Sequence, residues 1–202
     1  MLALSGAHRV GKSTLAKAFA EKQDWTFIQT SASPVFKHFG LHIDQQLTFD
    51  QRMLVQNAVL ELHLDDARKA SSKSITDRST IDMAAYALAE WGKNAQGKQC
   101  DLLDDYVDRC LNAAKWTYSG WVMVQPGISY VEEEGKPAAS KPFQYLHHTL
   151  CMGMMNDGRI KGMPRFIISS NVTEIDARIT ILEKIVTALP KCHLGEEVPT
   201  LH

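Results

Sequence analysis

Cysteine is scarce in this chain. Of 202 residues only Cys100, Cys110, Cys151 and Cys192 are cysteine, and none forms a C-x-x-C pair. That spacing offers neither a zinc knuckle nor a redox dithiol, so reduced thiols are expected. No apolar run approaches the ~20 residues of a membrane helix, and no basic segment leads into an apolar core at the N-terminus. The expectation is a cytoplasmic protein with no membrane partner. Neither sign of charge is in excess. With 22 Lys+Arg against 23 Asp+Glu the formal net charge is -1, which supplies no global field for nucleic acid. There is no internal repeat, no low-complexity segment and no Asn-Lys-x-Asp run of the kind that reads guanine, which disfavours a GTPase.

What remains is the composition of an ordinary globular chain, 45% hydrophobic and 22% charged, long enough to fold around its own core without a disulfide or structural metal. A single domain over residues 1–190 is expected, with 191–202 as a C-terminal tail.

One segment is chemically specific. Gly6-Ala7-His8-Arg9-Val10-Gly11-Lys12-Ser13 matches G-x-x-x-x-G-K-[S/T] at every fixed position, and Thr14 follows. The apolar run Leu2-Ala3-Leu4-Ser5 enters this loop, and an Ala-rich stretch free of Gly and Pro leaves it, as a phosphate-binding loop requires. Two glycines let successive N–H groups turn toward one anion, and the helix start near Lys12 adds its positive end. Lys12 then serves the β- and γ-phosphates of ATP, and the Ser13 hydroxyl is a ligand for Mg²⁺.

Strand and helix patterns alternate beyond it. Residues 25–29 read as a strand and 30–34 as a polar loop. A helix spans Thr48 to about Ala70, opened by the capping box Thr48-Phe49-Asp50-Gln51. Ser74-Ile75-Thr76 is a short strand, followed by helices at about 80–91 and 101–118. Residues 121–125 read as a buried strand and 142–155 as a helix. Residues 165–169 form the last strand, and Asn171-Val172-Thr173-Glu174 carries a second capping signature opening a helix to about Leu189. The fold class is α/β, a P-loop NTPase fold with a parallel sheet of about five strands and helices on both faces. In such a sheet the ligand lies at the carboxyl ends of the strands. The tryptophans, including Trp116, flank apolar segments and are expected in the core, while Phe36 or Phe49 is placed to sandwich a base.

Asp77-Arg78-Ser79 leaves the third strand at that end. A carboxylate there can take the proton of an acceptor hydroxyl or hold a water on Mg²⁺, and the guanidinium can neutralise a phosphoryl group in transit. Asp77 also has the alternative of capping the next helix.

The loop at 6–14, together with Thr76-Asp77-Arg78-Ser79-Thr80-Ile81-Asp82-Met83-Ala84-Ala85-Tyr86, resembles the small P-loop kinases of the ribosylnicotinamide-kinase-like ATPase group, a type common in bacteriophages. The Asp-Arg-Ser triplet and the segment 48–51 are also similar to deoxynucleoside and deoxynucleotide kinases. The resemblance implies Asp77 as general base or Mg²⁺ partner, Arg78 as phosphate or substrate clamp, and Asp82 and Tyr86 as substrate contacts. It further implies a base-reading amide on the helix over 48–70, for which Gln51 and Gln56 are both candidates. Kinases of this type close a lid carrying arginines over the triphosphate. Here the segment 127–141 takes that place without an arginine, leaving Lys136 and Lys141 as its cations. Arg159, Arg165 and Arg178 are the alternative cations for that role, though each is read first as a surface residue, and the Glu132–Glu134 run is read as a solvated loop face.

The expected activity is transfer of the γ-phosphoryl group of Mg·ATP to a hydroxyl or phosphate of a nucleoside, nucleotide or related small molecule. One alternative is a kinase acting on a hydroxymethylated base held in DNA. Another, of a different class, is an ATPase or switch module with no acceptor. A homodimer is among the expectations, as is location in the host cytoplasm if the chain is phage-encoded.

Overall fold

A computed structural model describes residues 1–42, 45–129 and 140–190. Its centre is β1 (Leu2–Ser5), buried along its whole length. A strand with no exposed residue must be covered on both faces, and helices supply that cover. The others are β2 (Thr26–Ile28), β3 (Ser74–Thr76), β4 (Gly120–Val124) and β5 (Arg165–Ile168). They form one five-stranded sheet in the order β2-β3-β1-β4-β5, every pair parallel. Residues Leu2 to Ser5 lie beside Gly120 to Met123 on one side, and Leu2 and Ala3 beside Ile75 and Thr76 on the other.

Parallel pairing requires a crossover between strands, and helices supply them here. These are α1 (Lys12–Gln23), α2 (Ser33–His38), α3 (Phe49–Lys69), α4 (Thr80–Trp91), α5 (Lys98–Thr117), α6 (Lys141–Met154) and α7 (Ile175–Ala188). The strand period of two divides the core into two layers. Leu2, Leu4, Val122 and Val124 pack with Leu15, Phe19, Ile179 and Leu182 beneath α1 and α7. Ala3, Trp121 and Met123 point the other way, into a cluster with residues of α3, α4, α5 and α6. The α/β expectation holds, and the loops leaving β1, β2, β3 and β4 open on one edge of the sheet.

Three local readings need correction. Ser33-Pro34 opens the six-residue α2 instead of closing a loop, because a proline in a first helical turn gives up an N–H that has no partner there anyway. The last helix starts at Ile175, with Glu174 as its N-cap and no side-chain cap bond. Asn171 sits instead in a turn where Val172 N–H donates to the Ser169 carbonyl. Trp116 is 65% exposed. The buried stripe of α5 runs through Leu103, Tyr106, Val107, Cys110, Leu111 and Ala114, a helical spacing that leaves 116 on the opposite face.

Candidate functional site

The loop from Gly6 to Gly11 begins pressed against the end of β4. Gly6 has φ +142°, and a Cβ there would lie 2.4 Å from the Val124 carbonyl oxygen, so only glycine fits. Arg9 and Gly11 also take positive φ, 62° and 85°. Gly11 is the N-cap of α1 and offers no side-chain bond to it. The first N–H groups of that helix are therefore left for an anion. Ala7 and Val10 are buried in the core beneath the loop, so they serve a ligand through their backbone alone. Lys12 reaches back across the loop, its Nζ donating to the Gly6 and Ala7 carbonyls at 2.6 and 2.8 Å.

Facing the loop is the turn after β3. Ser13 Oγ donates to the Asp77 carboxylate, which brings two hard oxygen donors together at the mouth of the loop. The Asp77–Arg78 turn is tied by Thr76, whose hydroxyl bonds the Arg78 N–H and carbonyl. One helical turn further, Asp82 is 1% exposed. Its Oδ1 accepts from Gly6 N–H at 3.0 Å, and its Oδ2 from the Ser5 hydroxyl at 2.7 Å and Ser79 N–H at 3.0 Å. With Ser79 it completes the capping box of α4, so one carboxylate ties that helix start to the first glycine of the loop.

These groups open into a cavity of about 720 Å³. Its donor side is formed by Gly6, His8, Arg9, Lys12 and Ser13, with Asp77, Arg78 and Asp82 alongside. The opposite wall is a stripe of α3, Arg52, Val55, Gln56 and Val59, completed by Gln29 to Ser33 and Phe36. Arg52 pairs with Glu90 at 2.8 Å and lies 5.8 Å from the Phe36 ring centroid. Gln56 Oε1 accepts from the Tyr106 hydroxyl at 3.3 Å, which leaves its NH₂ as the group available to a ligand. Ser140, Phe143 and Tyr86 close the third side, and Gln144 Nε2 donates to the His8 carbonyl at 2.9 Å, holding α6 to the loop.

A family model described as an AAA domain matches residues 1–141. The chain belongs to this AAA domain family. No curated protein matches its sequence. Among solved structures, the deoxyadenosine kinase of M. mycoides with products dCMP and dCDP superposes with a TM-score of 0.66 at 13% identity, covering 93% of this chain and 99% of that one. NadR in complex with NR superposes with a TM-score of 0.62 at 15% identity over 95% of this chain. This chain corresponds to 53% of the NadR chain. At such identities the likeness is one of fold, and it places the AAA domain protein among P-loop α/β folds.

Of the candidate residues, Gly6, His8, Arg9, Lys12, Ser13, Asp77, Arg78, Gln56, Asp82 and Tyr86 line this one cavity, while Ala7, Val10, Gly11 and Thr14 stand outside its lining. Gln51 does not line it. The Gln51 side chain accepts from Thr48 N–H at 3.1 Å, so the capping box that was legible in the sequence is also what engages this amide. Lys141 is the exposed first residue of α6, outside the lining. Lys136, the Glu132–Glu134 run and most of the 127–141 segment lie outside the described residues. Phe36 lines the cavity, while Phe49 is buried edge-on against Trp91 with centroids 5.2 Å apart. The surface reading of Arg178 is wrong, since that residue is 2% exposed. Arg52 was missed, although its place one turn before Gln56 on α3 is a readable signal.

Burial lowers the Lys12 ammonium from the ordinary lysine value, an effect that Asp82 partly offsets and Arg78 reinforces. His8 is lowered by burial and then by Lys12 and Arg9. His63, fully buried behind Thr30, is pushed down to about 4 by burial and by Arg78. Its neutral ring links Thr30 Oγ1 at 2.8 Å to the Tyr118 hydroxyl at 2.6 Å. That hydroxyl accepts from Thr80 N–H at 2.9 Å, so its own proton is free for His63 Nε2. His147 is likewise held at about 4, by burial against the opposing pull of Asp82. It forms a buried cluster with Asp82 and Cys151, their ligand atoms within 4.8 Å of one another, and burial raises the Cys151 thiol well above its ordinary value.

Proposed function

We propose that the protein is a P-loop kinase that transfers the γ-phosphoryl group of ATP to a hydroxyl or phosphate of a nucleoside, nucleotide or similar small molecule. The observation that carries this reading is one cavity of about 720 Å³ shared by the phosphate loop, the Asp77–Arg78 turn and an acceptor wall with its own recognition groups. A module that only hydrolyses or switches has no need of that wall, and this volume suits one nucleoside-sized molecule beside the phosphates. The fold neighbours with dCTP, dATP or NR bound support the same class.

In this reading Lys12 exchanges the Gly6 and Ala7 carbonyls for phosphate oxygens, and the N–H groups at the start of α1 hold the same anion. An acceptor hydroxyl held against α3 attacks the γ-phosphorus. The new O–P bond forms as the bond to the β-phosphate oxygen breaks, ADP leaves, and Asp77 receives the hydroxyl proton. Arg78 offsets charge on the phosphoryl group in transit. Ser13 Oγ and the Asp77 carboxylate are the hard oxygen donors that would hold Mg²⁺, an ion that prefers such ligands together with several waters. When bound, that ion neutralises charge on the β- and γ-phosphates. Gln56, which lines the same cavity as Phe36, reads the base edge.

The test is an acceptor panel with γ-labelled ATP and Mg²⁺, comprising nucleosides, nucleoside monophosphates, ribosylnicotinamide, and DNA with and without hydroxymethylated pyrimidines. Label on one small-molecule class is expected. Label released only as inorganic phosphate would refute the kinase reading, and label on DNA alone would refute the small-molecule acceptor.

A further inference from the structure

Arg178, in the first turn of α7, packs on the outer side of the phosphate loop. Its Nη1 donates to the Val10 carbonyl at 2.9 Å and its Nε to the Val172 carbonyl at 2.7 Å. Nη2 is buried with no hydrogen-bond partner. Among the described residues no carboxylate lies within ion-pair distance of this guanidinium, which is 2% exposed. A buried cation without a counter-charge is unfavourable, and burial alone depresses its proton affinity.

The loop supplies the reason. A trans peptide is planar, with its C=O and N–H pointing in opposite directions. Holding the Val10 carbonyl outward therefore aims the Gly11 N–H into the loop, where the phosphate groups lie. Gly11 has φ +85° and no side chain, so the Val10–Gly11 peptide plane is otherwise easily flipped. The flipped state would turn a carbonyl oxygen toward the anion.

We propose that Arg178 is a positioning residue that locks the Val10–Gly11 peptide in its anion-binding orientation and places a permanent positive charge behind the phosphate loop. This rests on reading the loop as the ATP phosphate site. Through Arg178 the β5–α7 turn becomes part of the nucleotide site, and the residue acts on the donor rather than on the acceptor. An arginine suits the task because two separate nitrogens of one rigid plane, Nε and Nη1, hold the Val172 and Val10 carbonyls, a fixed geometry that a lysine ammonium lacks.

The test uses the full chain and compares wild type, Arg178→Met and Arg178→Lys. Mg·ATP affinity is measured by calorimetry, KM for ATP and for the acceptor by kinetics, and folding by circular dichroism. Losing a charged hydrogen bond that organises the site should weaken ATP binding about tenfold to hundredfold in Arg178→Met. Acceptor KM should stay within about twofold, with Arg178→Lys intermediate. A purely structural role would instead lower thermal stability and leave ATP affinity of the folded fraction unchanged, and that result overturns the proposal. So does an equal loss for ATP and acceptor. If Arg178→Met does not fold, Arg178→Lys carries the test, and wild-type ATP affinity in that variant is the overturning result. A wild-type protein that binds no ATP takes down both this inference and the site reading. Normal wild-type binding with unaffected Arg178 variants takes down this inference alone.

Discussion

Replacing Asp82 by asparagine separates two roles for a residue that lines the cavity yet is almost entirely engaged elsewhere. The carboxylate accepts the Gly6 N–H on one oxygen and the Ser5 hydroxyl and Ser79 N–H on the other. An asparagine has one oxygen and one NH₂. Whichever way it turns, at least one buried backbone N–H faces a donor. The milder orientation keeps the oxygen on Ser5 and Ser79 and strands Gly6. Losing a hydrogen bond to a charged group and leaving its donor unsatisfied amounts to about 2–4 kcal/mol. For a chain of this size that corresponds to a fall in Tm of roughly 5–15 °C, which a typical domain stability tolerates without unfolding at 25 °C. Because the stranded donor is the first glycine of the loop, ATP affinity should fall as well, while acceptor KM changes little. Differential scanning fluorimetry with and without Mg·ATP reads both quantities. A Tm within about 1 °C of wild type, together with a raised acceptor KM, would refute the strut argument and make Asp82 a substrate ligand.

Other consequences can be checked with the same preparation. Lys12→Ala should abolish transfer and leave the circular dichroism spectrum unchanged, and retained turnover in an assay with labelled ATP would refute the assignment of the loop. Asp77→Asn should lower kcat far more than it lowers ATP affinity, the signature of a group that acts in the transition state; equal losses would remove its role as proton acceptor and leave it a metal ligand or a structural residue. His63 and His147 are both depressed to about 4 from 6.5, so between those pH values the unfolded chain binds more protons than the folded one. Stability should therefore decline as pH falls from 6.5 toward 4. In His63→Gln, which can keep both polar contacts of that ring without titrating, the decline should be shallower, and urea titrations giving the same slope as wild type would contradict the buried-neutral picture.

How far the sequence carries toward this site depends on whether each feature is local. The phosphate loop is legible because a glycine-lined anion cradle needs its residue types at fixed spacing, and the two-layer core is legible because Leu2, Ala3 and Leu4 alternate on one strand. Asp77 is legible from its place after β3. By contrast, the choice between Gln51 and Gln56 depends on which helix face meets Tyr106, a contact 50 residues away in the chain. The site of Arg178 is set by packing against a loop carbonyl 168 residues distant, and no spacing rule reaches that far. The start of α7 misled because Asn171-Val172-Thr173-Glu174 has the composition of a cap, while the Val172 carbonyl is drawn to Arg178 instead.

The order β2-β3-β1-β4-β5 also divides the molecule by tolerance to change. On one side of β1, the loop, α1 and α7 share a core layer and the buried Arg178 bond, so they must vary together. On the other side, the α3 stripe of Arg52, Val55, Gln56 and Val59 faces the cavity from a helix packed in the opposite core layer. Alterations there change what the cavity admits without loosening the phosphate grip. A library confined to those positions, screened against new acceptors, would explore chemical scope while inheriting an intact engine.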